Sequence, residues 1–194
     1  MRVKEGNKEL DIKEAAIRVF AESGFHKAKI AKIAELANVA AGSVYLYYKN
    51  KEDILDRIFL DLWKELYENT KAIAERSDIN PVEKIEYFVD SFFNVFNQKP
   101  EMALVFVHEQ NQFVKKPSEG LIYYDKFLAQ GEFIISQGIE TEDFSKNISV
   151  KVLRYFILGG VRFVLEHWAK APDDYTLVAI RENLKAFLTK GLSS

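Results

Sequence analysis

The stretch Lys29–Lys51, KIAKIAELANVAAGSVYLYYKNK, decides how the chain is read. Ile30, Ile33, Ala34 and Ala37 fall at i, i+3, i+4 and i+7 and make one apolar helical face. Asn38 follows where that helix must stop, and Asn tolerates the left-handed backbone of a sharp exit. Val39 is placed to fill the angle between two helices, and Ala41 to Tyr47 reads as the second. Ala41, Gly42 and Ser43 are small enough for that helix to approach another surface closely, with Val44 behind them. Tyr45, Tyr47 and Tyr48 come next, then Lys49 and Lys51 around Asn50. Hydroxyls and ammonium groups of this kind hold phosphates and fix register. The layout is that of a helix-turn-helix, whose second helix enters the major groove of DNA.

Working outward, Ile12, Ala15, Ala16, Val19 and Phe20 make the stripe of a helix from about Glu9 to Ser23. Gly24 is placed to end it, and Phe25 to fold back on the stripe. Residues 1–50 therefore form a three-helix head, with Arg2, Lys4 and Lys8 as further phosphate contacts. Residues 1–51 carry ten Lys/Arg against six Asp/Glu, a net charge of +4, whereas the whole chain is −2 and the remainder is therefore −6. A basic head on an acidic body fits a protein that meets nucleic acid through its head alone.

Residues 51–194 read as a helical body. A long helix over 51–76 carries Ile54, Leu55, Ile58, Leu62, Leu66 and Ile73 and links body to head. Asn80-Pro81-Val82-Glu83 has the cap, first-position proline and third-position glutamate of a helix start. The four prolines, at 81, 100, 117 and 172, divide the body into helices near 81–98, 101–113, 118–138, 145–171 and 174–191. No strand pattern, internal repeat or low-complexity tract interrupts this, so the fold is all-α with about nine helices. Helix 145–171 is apolar on more than one side, which predicts burial on most sides. Gly159-Gly160 at its middle predicts close approach by another helix or a ligand.

The chain holds no cysteine, so neither disulfides nor thiolate chemistry are available, which fits a reducing cytoplasm. No apolar run approaches the ~20 residues that span a bilayer, so no membrane partner is expected. His108-Glu109-Gln110-Asn111-Gln112 is half of a zinc-protease helix, with Gln112 where the second histidine would stand and His26 and His167 distant in sequence. A metal, a cofactor and a catalytic nucleophile–base pair are therefore not expected. His108, Glu109 and Gln112 read instead as part of a polar patch whose partners are each other, water or a ligand, with the ligand favoured. Trp63, Phe92, Phe96, Phe106, Phe113, Tyr123, Phe127 and Trp168 are the candidate apolar lining between the helices, a composition equally suited to a plain core. Arg154 and Arg162 lie on the apolar helix 145–171; inside, each requires a carboxylate or an anionic ligand, and otherwise a solvated rim.

The run I-A-x-x-A-x-V-x-x-G-S-V-Y-x-Y-Y-x-x-K-E-D-I-L over Ile33–Leu55 resembles the DNA-binding signature of the TetR family of bacterial transcriptional regulators. The chain departs from it at Asn38, where Gly is common, and at Lys29 and Ala40, where hydroxyl residues usually cap the helices. The resemblance implies three DNA-binding helices, a larger ligand-binding domain, and a homodimer that reads a palindromic operator and pairs the last two long helices of each copy. On that template Ala41, Gly42, Ser43 and Val44 approach bases, while Lys29, Lys32, Tyr45, Tyr47, Tyr48, Lys49 and Lys51 hold phosphates. V-Y-L-Y-Y-K-N-K-E-D-I-L, Glu109, Gln112 and the spacing from Gly160 to Trp168 further resemble the fatty-acid-degradation regulators of that family. That implies a repressor released by long-chain acyl-CoA or a fatty acid. Asn111 stands where those regulators carry Arg, and Arg162 where they carry an acidic residue. The alternatives are a multidrug regulator sensing apolar cations, which favours Glu109 over the arginines, and a helical small-molecule-binding protein with a vestigial head.

Overall fold

The computed structural model describes residues 7–97, 99–174 and 176–193. Arg2 and Lys4 lie outside them. Nine helices and no strand occur among the described residues: α1 Lys8–Ser23, α2 Ile30–Leu36, α3 Ala41–Val44, α4 Lys51–Ala74, α5 Pro81–Asn94, α6 Pro100–Phe113, α7 Glu119–Glu140, α8 Val150–Lys170 and α9 Leu177–Leu192. No helix among these residues is long and apolar enough to cross a membrane.

Local chemistry sets the boundaries. Gly24 ends α1 at φ 74°, and Asn38 makes the turn after α2 at φ 54°, both in the left-handed region. Lys29 and Ala40 begin α2 and α3 without a side-chain cap. The helix expected over 41–47 closes after Val44 and continues as a tight turn, in which the amides of Leu46 and Tyr47 reach the carbonyls of Ser43 and Val44 at 3.2 and 3.1 Å. Before α5, Asn80 and Glu83 exchange reciprocal hydrogen bonds of 2.9 and 3.0 Å around Pro81. α8 begins at Val150, later than its apolar stripe suggests, because Ser149 caps it and the Ser145 amide is committed to the Leu192 carbonyl 2.8 Å away.

In the body α4 lies along α7, α5 along α9, and α6 along α8 and against α1. Trp63, Phe92, Phe96, Phe106 and Phe127 interlock at ring separations of 5.3–6.2 Å and form the centre of the core. The buried Lys84 ammonium donates to the Ala74 carbonyl at 2.9 Å and to Gln137 Oε1 at 3.2 Å. It closes the carboxyl end of α4, where a cation is favoured.

One expectation is reversed. α8 is not covered on most sides of the protomer, where only Val161, Leu165 and Trp168 are fully buried. Tyr155, Phe156 and Phe163 are 60, 78 and 64 % exposed, and Phe187 on α9 is 72 % exposed. Among the described residues, nothing beyond α8's own adjacent backbone lies within 4 Å of where a Cβ on Gly159 or Gly160 would stand. Both glycines open outward onto this apolar face.

Candidate DNA-binding face and ligand cavity

The head presents a compact outward face. Ala41, Gly42, Tyr45 and Tyr47 are exposed, Ser43 is half-buried, and Lys29, Lys32 and Lys49 are exposed as well. Lys32 is shared with Glu35 at 2.9 Å. Leu46, at the tip, is 81 % exposed, which its apolar side chain gave no reason to expect. Asn50 caps α4 by accepting the Asp53 amide at 2.8 Å, and Asp53 accepts the Lys49 amide at 2.9 Å.

Three residues expected on that face turn inward. Val44 and Tyr48 are buried, because the chain between α3 and α4 must seal the head's core. Tyr48 donates its hydroxyl to the Glu9 carbonyl at 3.3 Å. Burial, with Glu9 nearby, pushes its phenol up to about 12. The Lys51 ammonium reaches back to the α1–α2 loop and donates to the carbonyls of Phe25, His26 and Ala28 at 2.8, 2.9 and 3.4 Å. It also sits 4.7 Å from the centre of the Phe25 ring. Lys51 is thus a half-buried clasp on the α1–α2 loop, with its ammonium donating to three carbonyls.

The same loop is held from the body. The Phe25 amide donates to Glu109 Oε1 at 3.2 Å in a buried contact. Glu109 is thus tied to the head, where α6 packs against α1. Its neighbours also leave the expected pocket. His108 lies at the surface 3.5 Å from Glu166, and Gln112 is half-buried on the same helix. Trp63, Phe96, Phe106 and Phe113 are sealed in the core, and Trp168 is buried in the last turn of α8. Tyr123 lies over the α4–α7 seam, 5.8 Å from Tyr67 with the Lys126 ammonium 5.1 Å from its ring.

A cavity of about 90 Å³ lies between α5, α7, α8 and α9. Of the expected residues, Phe92, Phe127 and Arg154 line it. The wall is otherwise aliphatic or aromatic except for Glu132, which accepts from Arg154 Nη1 at 2.6 Å. Arg154 also donates to the Tyr155 hydroxyl at 3.2 Å. Arg162, two turns on, is outside the cavity. It donates to the Val107 carbonyl at 2.6 Å and to Asn111 Oδ1 at 2.9 Å, joining α8 to α6. Asn111 and Arg162, the two positions expected to differ from the resembled regulators, thus contact each other.

Residues 12–58 match the family described as bacterial regulatory proteins, tetR family, and residues 63–191 match the YsiA-like protein C-terminal region. The chain belongs to the TetR family. Within it, the fatty acid metabolism regulator protein of Bacillus subtilis is 30 % identical over 190 residues, 95 % of each chain. Among solved structures, the regulator FadR of Bacillus subtilis in complex with stearoyl-CoA has a TM-score of 0.77 at 26 % identity, covering 94 % of this chain and 98 % of that one. The fatty acid degradation regulator FadR of Bacillus halodurans has a TM-score of 0.79 at 26 % identity, covering 96 % of both. The all-helical TetR architecture read from the sequence is therefore the one observed. Within this TetR-family chain, Gly131 and Glu132 are cavity residues that sequence reading missed. Their signal is tertiary, since Glu132 and Arg154 lie 22 positions apart on different helices.

Proposed function

We propose that this protein is a homodimeric transcriptional repressor that leaves its operator when an acyl-CoA or fatty acid binds between α5, α7, α8 and α9. The observation that carries the ligand class is the cavity itself, an apolar slot with one ion pair, Arg154–Glu132, in its wall. An amphipathic anion matches both features: the tail replaces void, and the headgroup competes with Glu132 for the guanidinium. The stearoyl-CoA held by the Bacillus subtilis relative supports the same class. An apolar cation finds less support, because Glu132 is already paired and Glu109 is bonded to the head.

We place the functional division at 50/51, with residues 1–50 as the DNA-binding head and 51–194 as the ligand and dimer domain. The two heads of a dimer would sit one helical turn of DNA apart, each reading half a palindrome. The exposed face of α8 and α9, with Phe156, Phe163 and Phe187 around the two open glycines, suits an isologous contact with a second copy. Ligand binding acts on the head through contacts already present. α8 grips α6 through Arg162, and α6 holds the α1–α2 loop through Glu109. A ligand that draws Arg154 from Glu132 favours one setting of α8 over another, and only that difference in affinity can shift the equilibrium. The test is operator binding by the purified dimer with and without acyl-CoA, with free CoA as control. Loss of operator binding with acyl-CoA alone supports the reading; indifference to every acyl-CoA refutes it.

A further inference from the structure

An apolar void of ~150 Å³ is enough to admit a benzene ring. The cavity here is about 90 Å³, smaller than that, so a tail that fills the slot between these helices needs a wall to move. Among the aromatic rings of that wall, Phe92, Phe93 and Phe127 are 6, 1 and 2 % exposed and interlocked with the core. Phe88 on α5 is half-buried, and its ring stacks on Phe127 at 4.9 Å and 24°. It also covers Gly131 of α7: a Cβ built there would stand 3.1 Å from the Phe88 Cζ. The missing side chain at 131 is thus a notch that the ring fills. Glu132, next in sequence, pairs with Arg154. The half-buried ring, the notch and the ion pair therefore share one rim of the cavity.

We infer that Phe88 is the chain-length gate of this site: lying on Gly131 it limits the cavity to a short acyl tail, and a long tail binds only by turning the ring off the notch. The inference rests on the acyl-CoA reading proposed above. Turning the ring costs its stacking on Phe127 and exposes apolar surface, a cost borne by long tails alone. Residue 88 thus sets selectivity without touching the headgroup.

The test compares butanoyl-CoA with hexadecanoyl-CoA, measured by calorimetry on the full-length protein as wild type, Phe88→Ala and Phe88→Leu. Phe88→Ala is expected to raise the affinity for hexadecanoyl-CoA at least tenfold relative to butanoyl-CoA, and Phe88→Leu to raise it about threefold. The leucine variant keeps most of the packing and serves where the alanine variant fails to fold, as judged by circular dichroism. Equal factors for the two ligands overturn the gate and leave acyl-CoA recognition standing. Failure of both ligands to bind wild type overturns that recognition and the gate with it.

Discussion

Replacing Lys51 by Ala separates two roles that look alike in sequence. A lysine beside a recognition helix reads as a phosphate contact, whose removal weakens DNA binding and lowers the salt slope by about one. In the structure its ammonium donates to three carbonyls of the Gly24–Ala28 loop and lies against the Phe25 ring. A hydrogen bond from a charged group contributes ~1.5–3 kcal/mol when removal strands its partner. These three share one partly exposed amine and do not add, so a loss of about 2 kcal/mol in total is expected. At roughly 2–4 °C per kcal/mol for a chain of this size, that lowers the melting temperature by about 4–8 °C. The assay is thermal and urea unfolding of wild type and variant, alongside operator affinity at several salt concentrations. An unchanged salt slope with reduced stability supports the clasp. Full stability with a slope lower by one refutes it and returns Lys51 to the DNA.

The remaining expectations follow from the same geometry. Tyr47→Ala lowers operator affinity and leaves the fold and acyl-CoA affinity unchanged, measured by fluorescence anisotropy and calorimetry; equal operator affinity removes Tyr47 from the interface. Glu109→Ala weakens operator binding while acyl-CoA affinity stays as in wild type, and a parallel loss of ligand affinity would place Glu109 back at the ligand. Tyr48 is held neutral in the fold up to about 12, against about 10 for a free phenol. Between those values the unfolded chain has released the proton that the folded chain keeps, so stability falls as pH rises through that window. Tyr48→Phe abolishes this part of the pH dependence in urea titrations, and a retained slope assigns it to other groups. Phe156→Glu places a charge on the exposed α8 face and yields a monomer by sedimentation velocity; a persistent dimer means the copies meet elsewhere.

The head was legible because its signals are local. Asn38 and Gly24 occupy left-handed turns, and the apolar spacing in α1 and α2 marks the buried side. The Asn80–Glu83 box was equally readable, since both partners lie within one turn. Inward and outward positions around α3 were harder. Tyr45, Tyr47 and Tyr48 are chemically alike, and only the turn after Val44 sends Tyr48 into the core and leaves Tyr45 and Tyr47 outside. The body's aromatics could not be sorted by type. Phe92 and Phe127 reach the cavity, whereas Phe96 and Phe106 are core, and helix packing alone decides between them. Glu109 reads as a polar group in need of a partner, and the one the fold gives it is a backbone amide 84 positions earlier. The apolarity of α8 was read correctly. That apolar surface is left open in the protomer, as a face for a second copy would be.

The central claim is that an acyl-CoA in the α5–α7–α8–α9 cavity releases the protein from DNA. Its most direct test takes an operator selected from random duplexes by the protein itself, and follows anisotropy as butanoyl-, octanoyl- or hexadecanoyl-CoA is added to the complex. At least one acyl-CoA is expected to lower operator affinity tenfold or more, free CoA to have no effect, and Arg154→Ala to blunt the response while still binding operator. Operator affinity unmoved by all three acyl-CoAs, or moved equally by free CoA, would contradict the account.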